Sequence, residues 1–130
     1  MRLRLNTAPT QDIGPCPLGA RVTLPIVGGS FEGERLRGKV LPGGDDWMVK
    51  RSDGVVELDL RVTLETDDAA LIHVTFEGIR DDGAPGAPYF RTLLHFETAA
   101  PKDAFLKRLL AVGAGEIRDG VPVHVIEEIL

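Results

Sequence analysis

Cysteine, tryptophan and tyrosine occur once each in 130 residues, basic residues form no block, and no apolar run approaches the ~18 residues of a membrane-spanning helix. Each scarcity excludes something. Cys16 stands between Pro15 and Pro17 with no second cysteine, so an intrachain disulfide framework is ruled out, the thiol reads as inert, and a cytoplasmic setting is expected. With 15 Lys and Arg against 20 Asp and Glu, and few aromatics for base stacking, neither nucleic acid nor an anionic membrane surface is an expected partner. The opening MRLRLNTAPT has no apolar core of signal-peptide length. His73, His95 and His124 lack the close spacing of zinc motifs, and neither GGSFEG nor LPGGDD ends as a phosphate-binding loop does. No metal and no cofactor is expected.

What the chain does have is 15 glycines and 9 prolines, placed as punctuation between short apolar runs. Leu3 and Leu5 alternate with polar residues, and TQDIGPCPLGA reads as a turn-rich connection. Strands are expected at 22–26, 31–34, 36–41, 47–51, 55–66, 70–78, 89–98, 108–115 and 121–128, with a loop at 81–88. PKDAFLKRLL invites one short helix near residues 101–108, with Pro101 in its first turn. Closely spaced strands with so little helix predict an all-β chain, residues 1–130 forming one antiparallel β-barrel domain whose closure removes exposed edges. The apolar end of VPVHVIEEIL would be an association hazard if left uncovered, so a homodimer or larger homo-oligomer is expected.

The clearest pattern is DGVVELDLRVTLETDD, residues 53–68, in which Val56, Leu58, Leu60, Val62 and Leu64 alternate with Glu57, Asp59, Arg61, Thr63 and Glu65. Such alternation marks a strand with one buried face. The same odd-numbered side carries His73 in the next strand and Tyr89, Arg91 and His95 in the one after. With polar sides in register, Glu57, Asp59, Arg61, His73, Tyr89, Arg91 and His95 share one sheet face. Two readings follow: an exposed face of weakly paired charges, or the lining of the barrel lumen. In a lumen, Arg61 and Arg91 suit a carboxylate, enolate or phenolate, and Tyr89 can donate to an oxyanion. Asp59 or His73 would then be the catalytic proton carriers, with Glu57, His95 and Trp47 as further binding residues. Trp47 is expected in the core, on the pocket rim or at a subunit contact.

Taken together, PIVGGSFEGERLRGKVLPGGDDW, DGVVELDLRVTLETDDAALIHV and YFRTLLHFET with APKDAFLKRLLAVGAGE resemble the bacterial and fungal family called domain of unknown function 3237. The most specific parts are Gly28 to Gly33, Leu41 to Trp47 and Tyr89 to Thr92. The resemblance implies a small, often oligomeric β-barrel and favours the luminal reading of the polar comb. It implies no activity. The connection before Tyr89 is shorter here than the family's, and His73 and Phe76 stand where tyrosine and asparagine are usual. The expected function is binding of a small organic molecule, with cofactor-free isomerase, cyclase or lyase chemistry on a carbonyl or carboxylate compound. The alternatives are a noncatalytic carrier or sensor, or a structural module without pocket chemistry.

Overall fold

Period-two alternation becomes antiparallel sheet in the computed structural model, which describes residues 1–83 and 85–130. Ala84 belongs to the loop expected at 81–88 and lies outside the described residues. The strands are β1 (Arg2–Thr7), β2 (Gln11–Cys16), β3 (Gly19–Glu32), β4 (Arg37–Val40), β5 (Gly44–Lys50), β6 (Val56–Thr66), β7 (Leu71–Asp81), β8 (Tyr89–Thr98), β9 (Ala111–Arg118) and β10 (Val121–Glu128). A 3₁₀ helix, Pro101–Arg108, joins β8 to β9. No helix among the described residues is long and apolar enough to cross a membrane.

Neighbouring strands follow the order β1, β10, β9, β8, β7, β6, then β4 and β5, then β3. Pairing of β1 with β3 closes the ring. The short β4 and β5 lie end to end between β3 and β6 and fill one position, so the barrel has eight walls. The stretch expected as separate pieces from 22 to 34 is instead one 14-residue strand, β3. Gly28 and Gly29 do not turn the chain there. Gly29 has φ +142°, and a side chain on it would strike the Arg4 carbonyl, so the glycine serves close passage of β3 beside β1. The presumed connection at 10–20 folds back as β2 and pairs with the first half of β3.

Even-numbered residues of β6, β7 and β8 point inward. Val56, Leu58, Leu60, Val62 and Leu64 are all buried, as are Ile72, Val74 and Phe76, then Phe90, Leu94 and Phe96. An eight-stranded barrel is just wide enough to be filled by such side chains. They form a large cluster toward the 3₁₀ helix and a small one, Val56, Leu58 and Phe90 with Met48 against it, toward the other end. Leu94→Ala, inside, is expected to cost about 2–5 kcal/mol in urea denaturation, and His95→Ala, its outward neighbour, within about 0.5 kcal/mol. Equal effects would contradict the inside–outside assignment.

Candidate functional site in the barrel lumen

Polar groups enter the lumen from four strands. In β5, Asp46 and Met48 share the parity that faces inward, while Asp45 and Trp47 face outward against Arg61 of β6. In β10 Pro122, His124 and Ile126 face inward, whereas Val125 between them is 39% exposed. Thr92 of β8 and Arg80, near the end of β7, complete the set. All four line a cavity of about 50 Å³, roofed by Phe76 and Phe90. That volume exceeds the ~10–15 Å³ that one water requires and falls far short of the ~300–1,000 Å³ of a drug-sized pocket. It suits one functional group of a ligand.

Two glycines of β9 make room for this arrangement. A Cβ on Gly113 would lie 2.5 Å from the Thr92 hydroxyl, and one on Gly115 would lie 2.7 Å from the Phe90 ring. The absence of side chains at both places is therefore a packing requirement.

Asp46 is 5% exposed, and its Oδ1 accepts a hydrogen bond from the Asp59 amide at 3.2 Å. Burial raises its pKa to about 6, against the lowering effect of that hydrogen bond; the nearby Asp59 carboxylate raises it and Arg80 lowers it. His124 is 2% exposed, with Phe90 edge-on at 5.0 Å and Phe76 tilted at 5.5 Å between ring centroids. Burial pushes its pKa down to about 4, so the imidazole is neutral at pH 7. His124 Nδ1, Thr92 Oγ1 and Arg80 Nε are buried and lack hydrogen-bond partners. Asp82 Oδ1 lies 3.1 Å from Arg80 Nε without forming a hydrogen bond. Each such buried orphan costs about 1–3 kcal/mol, a cost that a bound polar group meeting it would relieve.

The sequence-derived constellation lies elsewhere. Register aligns the polar sides as expected: Arg61 faces Thr75, which faces His95, and Thr63 faces His73, which faces Glu97. That shared face is the outside of the barrel. Glu57, Arg61, His73, Tyr89, Arg91 and His95 are exposed and Asp59 is half-exposed, because the alternate residues fill the interior and seven polar groups have no room or partners there. Arg61 pairs with Asp59 at 3.5 Å and Arg51 with Glu57 at 3.5 Å, both near water and worth little. Trp47, 37% exposed, lies beneath the Arg61 guanidinium at 5.6 Å and lines no lumen. Of the expected residues, only Arg91 borders a cavity connected with the luminal site.

Asp46, Arg80, Thr92 and His124 escaped sequence reasoning. Asp46 and Thr92 stand in the stretches Leu41 to Trp47 and Tyr89 to Thr92 on which the family resemblance rests, which was the available signal. A second cavity, about 320 Å³, opens at the opposite end between the 3₁₀ helix and the strand ends, where Arg35 stacks on Phe105 at 4.3 Å and pairs with Glu128 at 3.3 Å. It contains no buried acid or base. Among the described residues, no group of three His, Cys, Asp or Glu side chains is placed to hold a metal.

The family described as "Protein of unknown function (DUF3237)" matches residues 1–127. A UPF0311 protein of Rhodopseudomonas palustris is 37% identical over 114 residues, covering 78% of this chain and 74% of its own. Among solved structures, a β-barrel-like protein from Acinetobacter baumannii superposes with a TM-score of 0.90 at 33% identity, covering 98% of this chain and 89% of the other. A Penicillium herquei protein named an enzyme shares the fold with a TM-score of 0.76 at 21% identity, over 97% of this chain and 90% of its own.

The two shifted groups have opposite effects on stability. The raised Asp46 pKa favours the folded state below about pH 4, an advantage lost as pH rises through about 6. The depressed His124 pKa favours it above about 6.5, an advantage lost as pH falls through about 4. Asp46→Asn should therefore gain stability over wild type as pH rises from 4 to 7, by about 2–3 kcal/mol. His124→Phe should gain relative to wild type as pH falls over the same window. Urea titrations at each pH check both, and parallel wild-type and variant profiles would contradict the assignment.

Proposed function

Since this chain belongs to the family Protein of unknown function (DUF3237), which names no reaction, we propose a function from the lumen itself: binding of a small carbonyl or carboxylate compound and cofactor-free acid/base chemistry on it. The observation that carries this is the convergence of Asp46, Arg80, Thr92 and His124, each from a different strand, on one small cavity. An acid–base group is most effective with a pKa near the working pH, and Asp46 is tuned toward it by burial. Its carboxylate takes a proton from the carbon beside a carbonyl. The hydroxyl of Thr92, the neutral His124 ring and the Arg80 cation are the available stabilisers of the resulting enolate oxygen. Return of the proton to another carbon gives isomerisation, and loss of a leaving group from the enolate gives elimination. The Penicillium herquei protein of the same fold, named an enzyme, makes the barrel compatible with catalysis.

The test is proton exchange. A panel of enolisable ketones, β-diketones and keto acids is incubated with the protein in deuterium oxide and followed by NMR. Wild type should accelerate loss of the α-proton signal of at least one compound, Asp46→Asn should slow it at least about 100-fold, and Arg61→Leu should leave it unchanged. Stabilisation by a compound without exchange would assign a carrier or sensor instead. Neither exchange nor stabilisation by any compound would make the polar cluster a structural element.

A further inference from the structure

The barrel wall is not continuous beside the luminal site. β8 and β9 pair only from Leu94–Ala111 to Arg91–Ala114; beyond that point they part, and a cleft of about 780 Å³ opens between them. Phe90, Arg80 and Ile117 line both this cleft and the luminal cavity, so they are the partition between the two spaces. The size mismatch gives the cleft its meaning. About 50 Å³ admits one functional group, whereas the cleft is within the ~300–1,000 Å³ range that holds an organic ligand's body.

The outer floor of the cleft is one cross-strand row: Arg91 of β8 faces Ala114 of β9, Ala114 faces Val125 of β10, and Val125 faces Arg2 of β1. An apolar centre is thus flanked by two guanidinium groups. Of the two other arginines at the cleft, Arg118 pairs with Glu116, and Arg80 lies beside Asp82 with its Nε left without a hydrogen bond. Neither Arg2 nor Arg91 forms an ion pair among the described residues, Glu32 opposite Arg2 pairing with Arg37 instead, although the chain as a whole carries a net charge of -5. Arg91 is also held in place: its Nη1 donates to the Phe90 carbonyl at 2.8 Å, and its guanidinium lies 5.0 Å from the Tyr89 ring centre. One bond leaves the rest of the donor fork available.

We propose that the cleft is the outer half of the binding site and takes an amphipathic organic anion, its carboxylate on Arg91, its apolar body between Ala114 and Ile117 of β9, and its far end reaching the lumen past Phe90. The fork of an arginine fits a carboxylate in two parallel hydrogen bonds. The part played by the far end rests on the luminal reading above; the carboxylate preference does not.

Calorimetric titration with 2-naphthoate and with 2-naphthamide, equal in shape and different in charge, tests the assignment at low ionic strength. Wild type should prefer the naphthoate about tenfold or more, Arg91→Gln should lose that preference while keeping its affinity for the amide, and Arg91→Lys should retain part of it. Equal affinities in wild type, or a preference that survives in Arg91→Gln, would overturn the proposal. If only the luminal reading is wrong, the Arg91-dependent preference persists and no compound exchanges deuterium. If only the cleft assignment is wrong, exchange persists and the charge preference is absent.

Discussion

An eight-stranded barrel has little spare interior, and every other feature of this protein answers to that constraint. Inward positions must be filled at near-crystalline density, which is why β6 devotes Val56, Leu58, Leu60, Val62 and Leu64 to the inside. The same constraint makes Gly113 and Gly115 indispensable spaces for the Thr92 hydroxyl and the Phe90 ring. Where the two apolar clusters leave a small gap, four polar side chains occupy it.

The electrostatics of that gap follow from burial in the same way. A carboxylic acid drawn out of water resists ionising and an imidazole drawn out of water resists protonation, so the site keeps its formal charge low. Asp46 titrates at about 6 while the His124 ring stays uncharged at pH 7. Nearby Arg80 supplies the positive charge, from a position at the boundary with the cleft.

Much of the fold was legible because period-two alternation survives wherever one face is buried. β8 and β10 coincide with the expected 89–98 and 121–128, and the polar sides of β6, β7 and β8 do align. What alternation alone left open was which side is wet. In β6 the leucines and valines answered correctly for the interior, but in VPVHVIEE His124 lies inside and Val125 outside, because neighbouring strands and not hydrophobicity decide the facing. The Asp45–Asp46 doublet hid its own division, one carboxylate outward and one inward, since register with β6 settles it. β3 was divided at Gly28 and Gly29, of which Gly29 proves to serve close strand passage.

Closure through β1 has a consequence for how the chain is made. β1 precedes every other described strand in the chain, yet its partners are β3 on one side and β10 on the other, Leu3 facing both Phe31 and His124. During vectorial synthesis the hairpins of the first two thirds can form as they emerge, but the seam must wait for residues 123–125. Until then β1 presents an unpaired edge and the lumen stands open, so the nascent chain depends on late-arriving residues that also carry His124 into place.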